Sequence, residues 1–329
     1  TTRVGIRRQR QMCIRDSTHP YFSNSLRVST NQGQAELRIG ITDSGVGGLS
    51  VCAELEARLL QSPVEEDIEI IYLNAAIEDD YSYNSMPDRQ TKLQAFERFL
   101  HSVKEKYQPD LLFIACNTLS VLYEDSYFDS HRHTPTEGIV RSGIREMLAL
   151  SKHESDLAFI IFATPTTIKE GVYGKALREH GVPVNQAVEQ ECPGLPDAIS
   201  NDGSGGLAAG LIGKFVPDAL EQFDNPPQSV VAFLGCTHYG YQANLFETAL
   251  HAHVPRVCVL NPNNGAVDTI LSSINRTPGT GSVTVSFITR YVIPDVAINS
   301  LSGYLGNRAP ATLAALKSFV LRPGLCGEM

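Results

Sequence analysis

Leu111-Leu112-Phe113-Ile114-Ala115-Cys116-Asn117-Thr118 decides how this chain folds. A short apolar run bounded by polar residues reads as a strand buried on both faces, the kind found in parallel sheets. The cysteine then falls where the strand ends and its loop begins. In open α/β sheets that is the edge at which ligands bind. A second stretch repeats the pattern: Val230-Val231-Ala232-Phe233-Leu234 leads into Gly235-Cys236-Thr237-His238. Two thiols in equivalent places, roughly 120 residues apart, suggest two halves facing one pocket. A pair of thiols flanking a substrate suits the movement of a proton from one face of a carbon to the other.

Working outward, Leu37 to Ile41 reads as a strand that Asp43-Ser44-Gly45-Val46-Gly47-Gly48 turns into a helix carrying Val51, Leu55 and Leu59. Ile68 to Leu73 reads as a second strand, Asn74 to Arg89 as a long loop, and Thr91 to Tyr107 as an amphipathic helix. A polar linker is expected around Asp125 to Glu137. A second series then begins, with strands at Leu157–Ala163, Val182–Val188, the second cysteine strand and Val257–Leu260. Helices are expected at Ile168–His180, Leu207–Phe223, Ala266–Ile274 and Ala311–Phe319, and a strand of alternating polarity at Ser282–Ile288. Strand–helix alternation implies parallel sheets with right-handed crossovers. The two series look like a duplicated α/β unit.

The chain has 329 residues, 42% of them hydrophobic and 19% charged, enough for about two domains with sizeable cores. A net charge of -9 argues against a nucleic-acid surface. No stretch approaches the roughly 20 apolar residues that span a bilayer. No secretory signal is visible, and seven cysteines without a repeating spacing fit a reducing cytoplasm better than a disulfide framework. Residues 1–36, basic through Arg3, Arg7, Arg8, Arg10, Arg15 and Arg27, are expected to form a disordered or non-native tail, Cys13 included.

The glycine turn lacks the full G-x-G-x-x-G spacing, because Ser50 stands at the third glycine position, and Asn74 stands where a dinucleotide fold carries an acid. Asp43 reads either as a helix cap or as a carboxylate orienting a nearby base. Cys52 and Cys258 sit in apolar contexts and read as core, and Cys192, beside Pro193, as structural. Cys116 and Cys236 differ, because Asn117-Thr118 and Thr237-His238 follow them with donors that a thiolate needs. His238 is placed to assist proton changes at Cys236. Cys236 and His238 are too close for zinc-finger spacing, and no metal is expected. No G-x-S-x-G motif supports a serine hydrolase.

Taken together, Ile39-Gly40-Ile41-Thr42-Asp43-Ser44-Gly45-Val46-Gly47-Gly48-Leu49, Ala115-Cys116-Asn117-Thr118, Ala163-Thr164-Pro165-Thr166-Thr167, Cys192-Pro193-Gly194-Leu195 and Leu234-Gly235-Cys236-Thr237-His238-Tyr239 resemble the cofactor-independent amino-acid racemases, among them the glutamate racemases. The resemblance runs from about Arg38 to Ile288. It implies two pseudosymmetric, doubly wound α/β domains with parallel sheets and an active site in the cleft between them. The division it suggests is residues 37–133 plus 240–329 against 134–239. It implies Cys116 and Cys236 as acid/base thiols, acting on the D- and L-enantiomer respectively, with Asp43 and His238 as their assistants. Substrate-binding roles fall to Asp43, Ser44, Tyr81, Ser82, Asn117, Thr118, Thr164, Thr237 and His238. No cofactor is implied; a small-molecule amino-acid substrate and a homodimer supplying D-glutamate for the cell wall are. Two departures bear on substrate identity. Asn74-Ala75-Ala76 replaces a Gly-Asp-Thr segment, and Ser82 replaces a glycine whose backbone helps hold the substrate carboxylate. Other readings are an aspartate or other racemase, an α-decarboxylase, a redox-active thiol pair, or a binding protein that has lost catalysis.

Overall fold

A computed structural model describes residues 36–326 except 79–80, 131–133, 153–156 and 307. The tail expected at residues 1–36, with Cys13, lies outside the described residues apart from Glu36, which opens the first strand. Ten strands form two sheets among the described residues, and every strand pair within them is parallel. In chain order the strands are β1 (Glu36–Asp43), β2 (Asp67–Asn74), β3 (Leu111–Ile114), β4 (Thr136–Gly138), β5 (Ala158–Ala163), β6 (Ala187–Glu191), β7 (Ser229–Gly235), β8 (Arg256–Leu260), β9 (Val283–Thr289) and β10 (Val320–Leu321).

The first sheet runs β10-β9-β2-β1-β3-β4 and the second β6-β5-β7-β8. The four-strand order β2-β1-β3-β4 recurs as β6-β5-β7-β8, so the duplication read from the sequence is present in the topology. β3 and β7, the two cysteine strands, hold the same place in each copy. The first sheet adds β9 and the two-residue β10 beyond β2. The strand of alternating polarity is therefore next to the edge, with β10 outside it.

Each sheet is covered on both faces, which is why its strands are apolar without strict alternation. Ile39, Ile41, Ile70, Tyr72 and Phe113 pack on one side of the first sheet with Leu55 and Leu59 of helix Leu49–Gln61 and Val267 and Ile270 of helix Pro262–Ser273. Ile71, Leu73, Leu112 and Ile114 pack on the other side with Phe96, Phe99 and Leu100 of helix Arg89–Lys106. In the second sheet Ile160, Phe162, Ala232 and Leu234 meet Ile212 and Phe215, while Phe159, Ile161, Val231 and Phe233 meet Met147, Tyr173 and Leu177.

Several sequence expectations need correction. The polar stretch Asp125 to Glu137 is not a bare linker: it contains helix Tyr127–Ser130 and the start of β4, which adds to the first sheet through Leu112, Phe113 and Ile114. The amphipathic helix Ile139–Ser151 and helix Asp295–Leu305 are additions to the elements expected from the sequence. The helix expected over Ile168–His180 is two, Pro165–Glu170 and Val172–Glu179, broken at Gly171, whose φ of 61° is left-handed. The strand expected at Val182 starts only at Ala187. Counted by sheet, β4 belongs with the first half and β8 with the second, so the sheets divide the chain differently from 37–133 plus 240–329 against 134–239. Among the described residues no helix is long and apolar enough to cross a membrane.

Candidate active site

The carboxyl ends of strands from both sheets open on one cleft of about 630 Å³, within the usual range for small-molecule sites. Asp43 ends β1 and Ser44 follows it, Cys116, Asn117 and Thr118 follow β3, Thr164 follows β5, Cys192 follows β6, and Cys236, Thr237 and His238 follow β7, and all of them line it. The two thiols that the sequence singles out thus face one cavity from equivalent strands. Both side chains are largely withdrawn from water, with 6% of Cys116 and 8% of Cys236 exposed, yet each borders the open space between the halves. Both are free thiols, as are Cys52, Cys192 and Cys258.

Each sulfur has a polar neighbour. Ser44 Oγ lies 3.1 Å from Cys116 Sγ, and His238 Nδ1 lies 3.7 Å from Cys236 Sγ. Asp43 sits between the two halves. Its carboxylate accepts a hydrogen bond from Thr237 Oγ1 at 2.7 Å and lies within hydrogen-bonding reach of Cys116. The role of the glycine turn follows from this crowding. A Cβ on Gly47 would stand 2.4 Å from His238 Nδ1 and 2.5 Å from Thr237 Oγ1. The glycine makes room for the other half of the molecule rather than for a dinucleotide phosphate.

Burial governs the protonation of these groups. It pushes Asp43 up to about 6 against the opposing pull of the Thr237 hydroxyl and the Ser44 backbone N–H. It pushes the Cys116 thiol up to about 12, with the Asp43 charge adding to the effect and Ser44 opposing it. Cys236 is raised well above the ordinary thiol value by burial and then by Asp43. His238 is lowered to about 4 by burial. Near neutral pH, Asp43 is therefore mostly ionised, His238 is neutral and both thiols keep their protons. A cation arriving between them would favour the thiolate form of either.

Hydroxyls and an amide complete the walls. Thr118 Oγ1 lies 3.0 Å from Thr164 Oγ1 and 3.3 Å from Thr167 Oγ1, joining the helix after β3 (Asn117–Tyr123) to the N-terminal end of the helix after β5 (Pro165–Glu170). Asn117 is buried; its Oδ1 accepts a hydrogen bond from the Tyr173 hydroxyl, and its Nδ2 has no hydrogen-bond partner among the described residues. Tyr81 does not line the cleft and is 37% exposed. Ser82 does line it, but its backbone N–H is held by Ser85 Oγ at 3.0 Å, and Ser85 Oγ donates back to the Ser82 carbonyl at 2.8 Å. This local turn occupies the amide that the resemblance assigned to a substrate carboxylate.

Sequence reasoning missed part of the lining. Cys192 is fully buried, as a structural cysteine would be, but it also borders the cleft. Tyr291 and Ile293 reach the site from the connection between β9 and helix Asp295–Leu305, and Ala297 from the first turn of that helix. Glu78, Asn84 and Ser85 join from the loop after β2. Among the described residues no group of three or more histidine, cysteine or acidic side chains is arranged to hold a metal ion.

The sequence profile of the Asp/Glu/hydantoin racemase family matches residues 39–269. The chain is 32% identical to the glutamate racemase of Campylobacter jejuni over 62% of its own length and 73% of that protein. It is 29% identical to the glutamate racemase of Aquifex pyrophilus over 62% of its length and 71% of that protein. Its fold superposes on a glutamate racemase isoform from Bacillus anthracis with a TM-score of 0.64 and 21% identity, covering 83% of this chain and 95% of the other. It superposes on the Francisella tularensis glutamate racemase, solved with D-glutamate, with a TM-score of 0.62 and 21% identity, covering 83% and 94%.

Proposed function

The chain belongs to the Asp/Glu/hydantoin racemase family, and on that premise we propose that it interconverts L- and D-glutamate by proton transfer at the α-carbon, without a cofactor. The reading rests on one observation above all: Cys116 and Cys236 end equivalent strands of a repeated unit and border the same cleft.

The α-proton of an amino acid is a very weak acid, so the barrier lies in the carbanion. In this reading one thiolate removes the proton while the opposite thiol delivers another to the far face. Both thiols rest protonated, so the attacking one must first lose its proton. Asp43, largely ionised at neutral pH, is the acceptor beside Cys116, and neutral His238 is the acceptor beside Cys236. The substrate ammonium, entering a pocket with Asp43 at its base, lowers the cost of each thiolate. Proton transfer by positioned groups contributes about 10²–10⁴-fold, and fixed donors on the substrate carboxylate must supply more. Ser44, Asn117, Thr118 and Thr164 are the side chains available for that on the two walls, and Thr237 offers its backbone N–H, since its hydroxyl proton is donated to Asp43. Ser82 joins them through its side chain only, since its amide is engaged by Ser85. Cys116 serves the D-enantiomer and Cys236 the L-enantiomer.

A role in supplying D-glutamate for peptidoglycan, a cytoplasmic location and a homodimeric state belong to the same reading. The five free thiols among the described residues support a reducing compartment. Sedimentation of the purified protein tests the dimer. For the activity, L- and D-glutamate are incubated separately in heavy water. Interconversion with α-deuteration from both directions supports a two-base racemase. Exchange of neither enantiomer overturns the proposal, and decarboxylated product redirects it to a different reaction.

A further inference from the structure

We infer that Tyr173 is a positioning residue for the reaction: its buried hydroxyl fixes the Asn117 amide so that the amino group, not the carbonyl, is offered to the substrate. The inference rests on the functional reading above. Asn117 immediately follows Cys116 and lines the cleft, so the identity of the amide arm facing the substrate decides whether the site attracts or repels a carboxylate. An asparagine carries both arms and, left alone, can present either.

Tyr173 breaks that ambiguity. It lies on helix Val172–Glu179, in the half of the molecule opposite Asn117, and only 1% of it is exposed. Burial raises its phenol well above the ordinary tyrosine value, so at neutral pH it keeps its proton. A buried hydroxyl of this kind needs an acceptor, and Asn117 Oδ1 is the one it reaches. The amide carbonyl is thereby consumed, and Nδ2 remains as a buried donor with no partner among the described residues. Leaving such a donor unmatched is costly unless a ligand satisfies it. The carboxylate of an amino acid is the acceptor that the proposed chemistry brings to that place. The ring itself is wedged against Phe233, with centroids 4.6 Å apart, beneath Gly143, where a Cβ would stand 2.7 Å from Phe233. That packing leaves the hydroxyl little freedom, so the orientation of Asn117 is set from the buried side by a residue of the opposite half.

The test compares Tyr173→Phe, Asn117→Ala and the double variant by steady-state racemisation of both enantiomers, calorimetric binding of D-glutamate, and thermal unfolding. Tyr173→Phe keeps the ring and its packing. It is expected to raise KM and the dissociation constant for D-glutamate by about tenfold, the scale of one hydrogen bond to a charged group. The kcat is expected to change by less than about threefold. Asn117→Ala is expected to weaken binding at least as much. The double variant is expected to bind no worse than Asn117→Ala alone, because the hydroxyl acts only through the amide. A purely structural tyrosine would lower the melting temperature and leave KM in place. Unaltered KM and binding in Tyr173→Phe, or losses that add in the double variant, overturn the positioning role while the racemase reading stands. Wild-type protein that neither racemises nor binds glutamate overturns both.

Discussion

Thr237 Oγ1 donates a hydrogen bond to Asp43 Oδ2 at 2.7 Å, joining two residues 194 positions apart in the chain. Asp43 ends β1 of the first sheet and Thr237 follows β7 of the second. The contact therefore couples the two walls of the cleft at the carboxylate that sits nearest the chemistry. It is also the largest influence holding the Asp43 pKa down against burial.

Removing that donor should move the acid limb of the pH–rate profile. With Asp43 at about 6, kcat/KM should fall as pH drops below about 6, because a protonated carboxyl cannot take the Cys116 proton. Thr237→Val should shift this limb upward by about one pH unit, the worth of a charge-assisted hydrogen bond. A pH profile of kcat/KM for the D-enantiomer checks it; an unmoved limb would separate the profile from Asp43.

The thiols should be jointly required. Cys116→Ser and Cys236→Ser should each lower racemisation by about 10²–10⁴-fold with little change in melting temperature, since serine fills the same space. Polarimetry in both directions, beside circular dichroism of the fold, reads this. Full activity in either variant would exclude the two-thiol scheme.

Asp43 and His238 should leave opposite marks on stability. The Asp43 pKa is raised from 3.8 to about 6, so the native state holds its proton more tightly, and the associated stability is lost as pH rises through that window. The His238 pKa is lowered from 6.5 to about 4, so stability is lost as pH falls through that interval. Each effect is at most about 3 kcal/mol. Relative to wild type, Asp43→Asn should gain melting temperature above pH 6 and lose that gain toward pH 4. His238→Gln should show its relative gain on the acid side only. Thermal melts across this range, subtracting wild type, make the comparison.

Gly47→Ala should be disproportionately harmful for one added methyl. Its Cβ would meet the His238 ring at 2.4 Å and Thr237 Oγ1 at 2.5 Å, both in the opposite half. Overpacking of this kind costs about 1–3 kcal/mol, and here it also displaces His238 from Cys236. Reduced activity toward L-glutamate together with a lower melting temperature is expected; wild-type values for both would mean that the two halves can part without penalty.

The sequence made legible what burial writes into it. Apolar runs ending in Cys116 and Cys236 located the strands and the site together, because strands covered on both faces cannot alternate. The three-residue β4 carries no such signature: Thr136, Glu137 and Gly138 become a strand only because Leu112, Phe113 and Ile114 offer them an edge. Helix Ile139–Ser151 does carry a signal, in the helical spacing of Val140, Ile144, Met147 and Leu148, and is recoverable from it. Tyr291, Ile293 and Ala297 are not, since only the return of the chain beside β2 brings them to the cleft. Tyr81 illustrates the opposite limit: its place in the chain matches the resemblance, but the residue is exposed and does not line the cleft.

The recurrence of β2-β1-β3-β4 as β6-β5-β7-β8 has a consequence for handedness. A cleft with a single reactive wall distinguishes mirror images, because one of them turns its hydrogen away. Two walls of like construction remove that distinction: the near side for one hand is the far side for the other. Any unlikeness between the walls, such as a carboxylate behind one sulfur and an imidazole behind the other, can then make the forward and backward speeds differ at saturating substrate only as far as binding differs in compensation, and leaves them equal at low substrate. The balance point between mirror-image molecules in water stays at equal amounts.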